Sequence, residues 1–152
     1  MKFKSLREIL QFAIAKEESS VRFYKSLTRR VNNTDTAAVF EAIAHQEQRH
    51  IEAVKLELFK LGYTFAEPTA EPDPQSPEDA VVAVDESDSE LTYLDALRLG
   101  LQKERAAFRL YAELLALAEE EDSRRMFAEL AEEEMRHVLQ FEREIAAVSG
   151  QP

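Results

Sequence analysis

The chain has 152 residues, 30 acidic and 19 basic, a formal net charge of −11 and no cysteine. This length accommodates one domain, expected over residues 1–152, with a core large enough to need no covalent staples. Absence of thiols excludes disulfides, Cys-ligated zinc, iron–sulfur or rubredoxin-like centres and thiolate nucleophiles, and the acidity argues against a nucleic-acid partner.

The negative charge is unevenly spread. Between Lys60 and Asp95 the sequence places nine acidic residues and no basic one, so a connecting segment carries most of the excess and the remainder is nearly balanced. There is no run of 18 apolar residues, and MKFKSLREILQFAIAKEE carries charge through the region that a secretory leader keeps apolar. No membrane association and a cytoplasmic location are the expectation.

Ser5 begins a predicted helix that runs to about Arg30, with Glu8 three residues on completing a capping box. Its inward positions alternate by four and three: Leu6, Leu10, Ala13, Glu17, Ser20, Tyr24, Leu27 and Val31. That spacing suits helices packed nearly parallel or antiparallel. Glu17 interrupts an apolar stripe, whereas Lys16, Glu18 and Arg22 are expected on the exterior. Asn32-Asn33-Thr34-Asp35 is a turn short enough to return the chain alongside the first helix. The second helix is predicted over about Asp35 to Leu61, stopped by Gly62. Its stripe is Phe40, Ile43, Glu47, His50, Val54 and Leu61, and so contains a Glu and a His on one face, three residues apart.

Residues 63–91 hold four prolines and many acids, predicting an extended or partly disordered connection, with a short strand at Val81–Val84 as the alternative within it. Such a length can span a bundle or reach another subunit. Thr92 caps a third helix running to about Ala118, with Leu97, Leu101, Glu104, Phe108, Tyr111 and Leu115 inward. The acidic run 119–123 suits a turn and the positive start of a fourth helix. That helix is predicted to end at about Val148, before Gly150, with Phe127, Leu130, Glu134, His137, Phe141, Ile145 and Val148 inward.

An offset of 87 residues superposes the two halves, hairpin 5–62 and hairpin 92–149. Glu17 falls on Glu104, Tyr24 on Tyr111, Phe40 on Phe127, Glu47 on Glu134 and His50 on His137. Folded as an all-α four-helix bundle with a long crossover between the second and third helices, the middle layer collects Glu17, Glu47, His50, Glu104, Glu134 and His137, with no other charge expected in the core. Burying a carboxylate without a partner costs several kcal/mol or more, and four solvated glutamates would not break four inward stripes at matching heights. Four carboxylates and two imidazoles can hold two divalent ions: Glu17 and His50 on one, Glu104 and His137 on the other, Glu47 and Glu134 bridging. Mixed oxygen and nitrogen ligation suits iron or manganese, with zinc open on affinity grounds. Tyr24 and Tyr111 either donate hydrogen bonds that orient these carboxylates or serve as polar-tipped core aromatics. His45, Glu41, Glu132 and Glu133 are expected to face outward.

The segments AIAKEESSVRFY, IAHQEQRH, GLQKERAAFRLY and LAEEEMRH, which span both hairpins, resemble the di-iron domain of the rubrerythrins in the ferritin-like superfamily. The resemblance implies a ferritin-like bundle with two iron ions on Glu17, Glu47, His50, Glu104, Glu134 and His137, the four glutamates also carrying the catalytic role. It further implies a peroxide-reducing oxidoreductase of oxygen defence, a homodimer, and electrons from a rubredoxin-like donor. Hairpins exchanged between subunits would preserve the same contacts. Two departures stand out. The usual extra carboxylate on the third helix falls at Ala107, which cannot ligate, and without cysteine the donor must be external. Peroxide or oxygen is the expected co-substrate, with ferroxidase or iron-handling activity, or a metal-stabilised structural module, as the alternatives.

Overall fold

The structure, a computed structural model, describes residues 3–63 and 90–150. The described residues form four helices: α1 (Leu6–Arg30), α2 (Thr34–Lys60), α3 (Tyr93–Leu117) and α4 (Glu121–Ser149). There is no strand among them. A single parallel bridge joins Val31 to Leu91.

The helix ends follow local chemistry. Ser5 accepts from the Glu8 amide, while the Glu8 carboxylate reaches the amide of Lys4, one residue beyond the position a capping box uses. Asn33 accepts from the amides of Asp35 and Thr36, and Thr92 from that of Asp95, each satisfying donors that the first turn leaves without a helical partner. At the far end of α3, the Arg124 guanidinium donates to the carbonyls of Leu115 and Ala118. The start of α4 has no side-chain cap, but Glu121 and Asp122 lie in its first turn, where the helix dipole favours negative charge. Gly62 (φ 84°) and Gly150 (φ 72°) adopt the left-handed conformation after α2 and α4.

α1 packs along α2, and α3 along α4; α1 then faces α3 and α2 faces α4 across the bundle. The Leu91 amide donates to the Arg30 carbonyl at 2.9 Å, placing the start of α3 beside the end of α1. The crossover must therefore connect opposite ends of the bundle, about 40 Å apart at helical rise for a helix the length of α2. Residues 64–89, including the extended connection and the strand expected at 81–84, lie outside the described residues.

Two apolar clusters divide the core. One surrounds Leu10, Ile14, Val54, Leu58, Tyr111, Leu114 and Phe127. The other surrounds Tyr24, Leu27, Phe40, Ile43, Leu97 and Phe141. Tyr24, Phe40 and Phe141 stack with ring centroids 6.3–6.4 Å apart, a spacing at which aromatic pairs attract beyond their burial. Gly100 makes room for this stack: a Cβ there would sit 2.9 Å from Phe141 Cζ. The polar layer lies between the clusters.

Three expectations need correction. Val148 is 44% exposed, because α4 runs past the end of the apolar layer there. Lys16 is buried rather than exterior, and with Arg30, Glu57 and Lys103 it adds to the charged groups of the interior. Lys16 and Lys103 occupy equivalent positions of the repeat; their ammonium groups lie 5.4 and 5.8 Å from the ring centroids of Phe12 and Phe23, so aromatic faces receive charge on long buried stems. Glu57 accepts from Ser123 Oγ at 3.2 Å.

Candidate metal centre

α1 and α3 each bring one glutamate to the middle of the bundle, and α2 and α4 each bring a Glu and a His one turn apart. Glu17, Glu47, His50, Glu104, Glu134 and His137 are all buried, with Glu47 and Glu134 only 1% and 0% exposed. They form two overlapping groups. Potential ligand atoms of Glu17, Glu47, His50 and Glu134 lie within 4.8 Å of one another, as do those of Glu47, Glu104, Glu134 and His137. Glu47 and Glu134 belong to both groups and therefore stand between them.

The imidazoles face this layer through Nδ1. His50 Nδ1 lies 3.1 Å from Glu134, 3.3 Å from Glu47 and 3.5 Å from Glu17. His137 Nδ1 lies 3.4 Å from Glu104, 3.7 Å from Glu47 and 3.8 Å from Glu134. Outside the layer, each Nε2 meets an oxygen of the opposite helix: Glu133 Oε2 at 2.5 Å from His50, and Gln46 Oε1 against His137. An oxygen acceptor there holds a proton on Nε2, so Nδ1 is the nitrogen directed inward.

The tyrosines cross the bundle. Tyr24 of α1 donates to Glu104 of α3 at 2.8 Å, and Tyr111 of α3 donates to Glu17 of α1. Tyr24 is also within 3.3 Å of the Gly100 carbonyl. Burial, then the charges of the nearby carboxylates, pushes both phenols well above their ordinary pKa, so they remain donors.

Burial and the charges of the other carboxylates raise Glu47 and Glu134 well above the usual carboxylate range. Burial acts the same way on Glu17 and Glu104, but their close neighbours, Glu47 and His50 around the first and Glu134 and His137 around the second, bring both below that range. Burial opposes charge on His50 and His137, and their carboxylate neighbours outweigh it, raising both. Each of these shifts reflects negative charge concentrated in a dry layer.

The donor set fits a pair of divalent cations. Both oxygens of Glu47, both oxygens of Glu134, one oxygen each of Glu17 and Glu104, and both inward histidine nitrogens are buried without a hydrogen-bond partner. Buried polar atoms are rarely left so, and here they converge. Four carboxylates match the charge of two divalent ions, and carboxylate with imidazole suits first-row metals.

A cleft of about 450 Å³ opens between α2 and α4 onto the outer edges of both histidines, flanked by Gln46, Arg49, Glu133 and Arg136. His45, Glu41 and Glu132 are exposed, as the sequence implies. Glu133 departs from that reading: its side chain is 47% exposed, yet its carboxylate engages His50. Gln46, its counterpart, was not singled out by the stripes. The available signal was the repeat itself, because each residue immediately precedes the Glu of a Glu-x-x-His segment. Ala107 is buried, and its counterpart in α1, Ser20, turns its hydroxyl to the Lys16 carbonyl; neither position adds a carboxylate.

Four antiparallel helices around a buried layer of four glutamates and two histidines define a ferritin-like bundle with a centre able to hold metal. The Rubrerythrin family model matches residues 8–145, and the chain belongs to that family. An uncharacterized conserved protein from Magnetospirillum magnetotacticum MS-1 is similar at 26% identity and TM-score 0.72, covering 97% of this chain and 96% of that one. A hypothetical protein from Pyrococcus furiosus shares 22% identity at TM-score 0.73, covering 98% and 94%. A dodecameric thioferritin, the bacterioferritin-related protein from Bacteroides fragilis, shares 17% identity at TM-score 0.74, covering 98% and 89%. These last two show likeness of fold. No match to a curated protein was found.

Proposed function

We propose that the protein is a non-haem di-iron oxidoreductase that reduces hydrogen peroxide with electrons from an external donor. The observation that carries this reading is the convergence of buried, unpartnered carboxylate and imidazole atoms on one layer. Glu17 and His50 would hold one iron, Glu104 and His137 the other, with Glu47 and Glu134 shared. A bound ferrous pair supplies the two electrons that, with two protons, convert one peroxide molecule to two waters.

The protein supplies position and exclusion. Tyr24 and Tyr111 fix the orientation of Glu104 and Glu17 from the opposite helix, which limits how far either carboxylate can swing. The apolar clusters above and below keep bulk water from the layer and strengthen its electrostatics. The cleft between α2 and α4 gives a small polar molecule a path to the histidine edge of the centre. Among the described residues no helix is long and apolar enough to cross a membrane. We place the protein in the cytoplasm as a homodimer, with a rubredoxin-like protein as donor because the chain has no cysteine of its own.

The second reading is iron oxidation without peroxidase turnover, favoured by Ala107, which leaves the third helix without a second carboxylate facing the layer. Stopped-flow addition of peroxide to the anaerobic ferrous protein tests the first. Rapid oxidation by one peroxide per iron pair, absent from a Glu47→Ala, Glu134→Ala variant, is the expected result. Peroxide consumption no faster than that of the variant would overturn it.

A further inference from the structure

The two halves of the centre match in their inward residues but differ in what holds each histidine from outside. His50 Nε2 meets a carboxylate, Glu133, at 2.5 Å, and His137 Nε2 meets a carboxamide, Gln46. Gln46 and Glu133 are themselves equivalents in the 87-residue repeat, so the same contact is made twice with different charge. A carboxylate receiving an imidazole N–H increases the donor strength of the opposite nitrogen, and a hydrogen bond to an ionised acceptor is roughly twice as strong as a neutral one. Glu133 also adds a negative charge outside the Glu17–His50 position, one that the Glu104–His137 position lacks. Neither contact depends on the residues shared between the positions, because Glu47 and Glu134 serve both.

We infer that the contacts Glu133–His50 and Gln46–His137 make the two metal positions unequal, so that a divalent cation occupies the Glu17–His50 position before the Glu104–His137 position. This rests on the proposed reading of the centre as a two-metal site. Loss of such outer partners costs metal affinity about 10- to 100-fold. Because the Glu133 side chain is 47% exposed and therefore screened by solvent, a preference of about tenfold, the low end of that range, is expected. Glu133 acts here as a positioning residue, through His50.

The test uses the full chain, freed of metal and titrated anaerobically with less than one equivalent of Co²⁺, with proton NMR of the paramagnetically shifted imidazole N–H signals. His50→Ala and His137→Ala variants assign the two signals. The His50 signal should exceed that of His137 by about tenfold in the native protein, the lower bound for a lost outer partner. Glu133→Gln should bring the two to equal intensity, and Gln46→Glu should do the same from the other side, a readout that a purely structural role would not move. Circular dichroism checks that each variant keeps its helices. Equal signals in the native protein, or a preference that survives both substitutions, would overturn the inference while leaving the two-metal reading intact. Failure of native protein to bind Co²⁺ at all would overturn both.

Discussion

The two hairpins agree throughout the polar layer and diverge more often around it. Glu17, Tyr24, Glu47 and His50 each have an identical counterpart 87 residues on, and the tyrosine contacts cross in both directions. Away from that layer the equivalence loosens. Gln46 stands against Glu133, Ala13 against Gly100, and Ser20 against Ala107. A buried carboxylate tolerates few alternatives, because an unmatched neighbour leaves it uncompensated. Packing and partly solvated contacts have several adequate solutions, so the halves have room to differ there.

The largest effect should come from removing what the halves share. The Glu47→Ala, Glu134→Ala double variant should reduce bound iron from two per chain to none by metal analysis, because each residue reaches both positions. Breaking one half at a time gives a finer outcome: Glu17→Gln and Glu104→Gln should each leave one tightly held ion, distinguishable by which histidine signal persists. Retention of both ions in either variant would show that the single glutamates are not ligands.

Acidity probes the layer as a whole. Glu47 and Glu134 are raised above the ordinary 4.5, and the histidines above 6.5. Groups raised in the folded state favour the fold below their unfolded values, and that advantage is lost as pH climbs through the folded values. Chelated protein should therefore melt at progressively lower temperature as pH rises from 4.5 through 6.5 and beyond. Glu17 and Glu104, being lowered, work the other way: their contribution is present above 4.5 and fades in more acid solution. Metal-loaded protein should hold its melting temperature over the same rise, and pH-independent melting of the chelated form would contradict this account.

The crossed tyrosines address one position each. Tyr111→Phe should weaken the Glu17 position and Tyr24→Phe the Glu104 position, each by about 10- to 100-fold, measured by competition with a chelator. An effect on the same-helix glutamate instead would show that the crossing does not persist. A change of similar size, in stability rather than metal affinity, is expected at Gly100→Ala, where the new methyl must displace the Phe141 ring. A loss of about 1–3 kcal/mol is expected from denaturant titration, typical of an overfilled core.

Helix number, ends and, apart from Val148, the inward stripes were legible in the sequence because capping and 4,3 spacing are local signals; Ser5, Thr92 and Gly150 act as their chemistry implies. The six clustered residues were legible because glutamate inside an apolar stripe is costly enough to stand out. The partners of the histidines were not. Glu133 and Gln46 sit where a helix faces the cleft, and a polar residue there costs little whether or not it makes a contact. The burial of Lys16 has a related cause: a long stem lets a charged group lie over Phe12 from a position that the stripe alone places outside.

Six buried side chains converge on one layer, and the proposal is that they hold two metal ions. Anaerobic titration of the chelated protein with Fe²⁺, followed by counting iron retained after gel filtration, tests it most directly. Two ions per chain in the native protein and none in the helical Glu47→Ala, Glu134→Ala variant are predicted. Equal retention by the two proteins, or no retention by either, would show that the layer does not hold two ions.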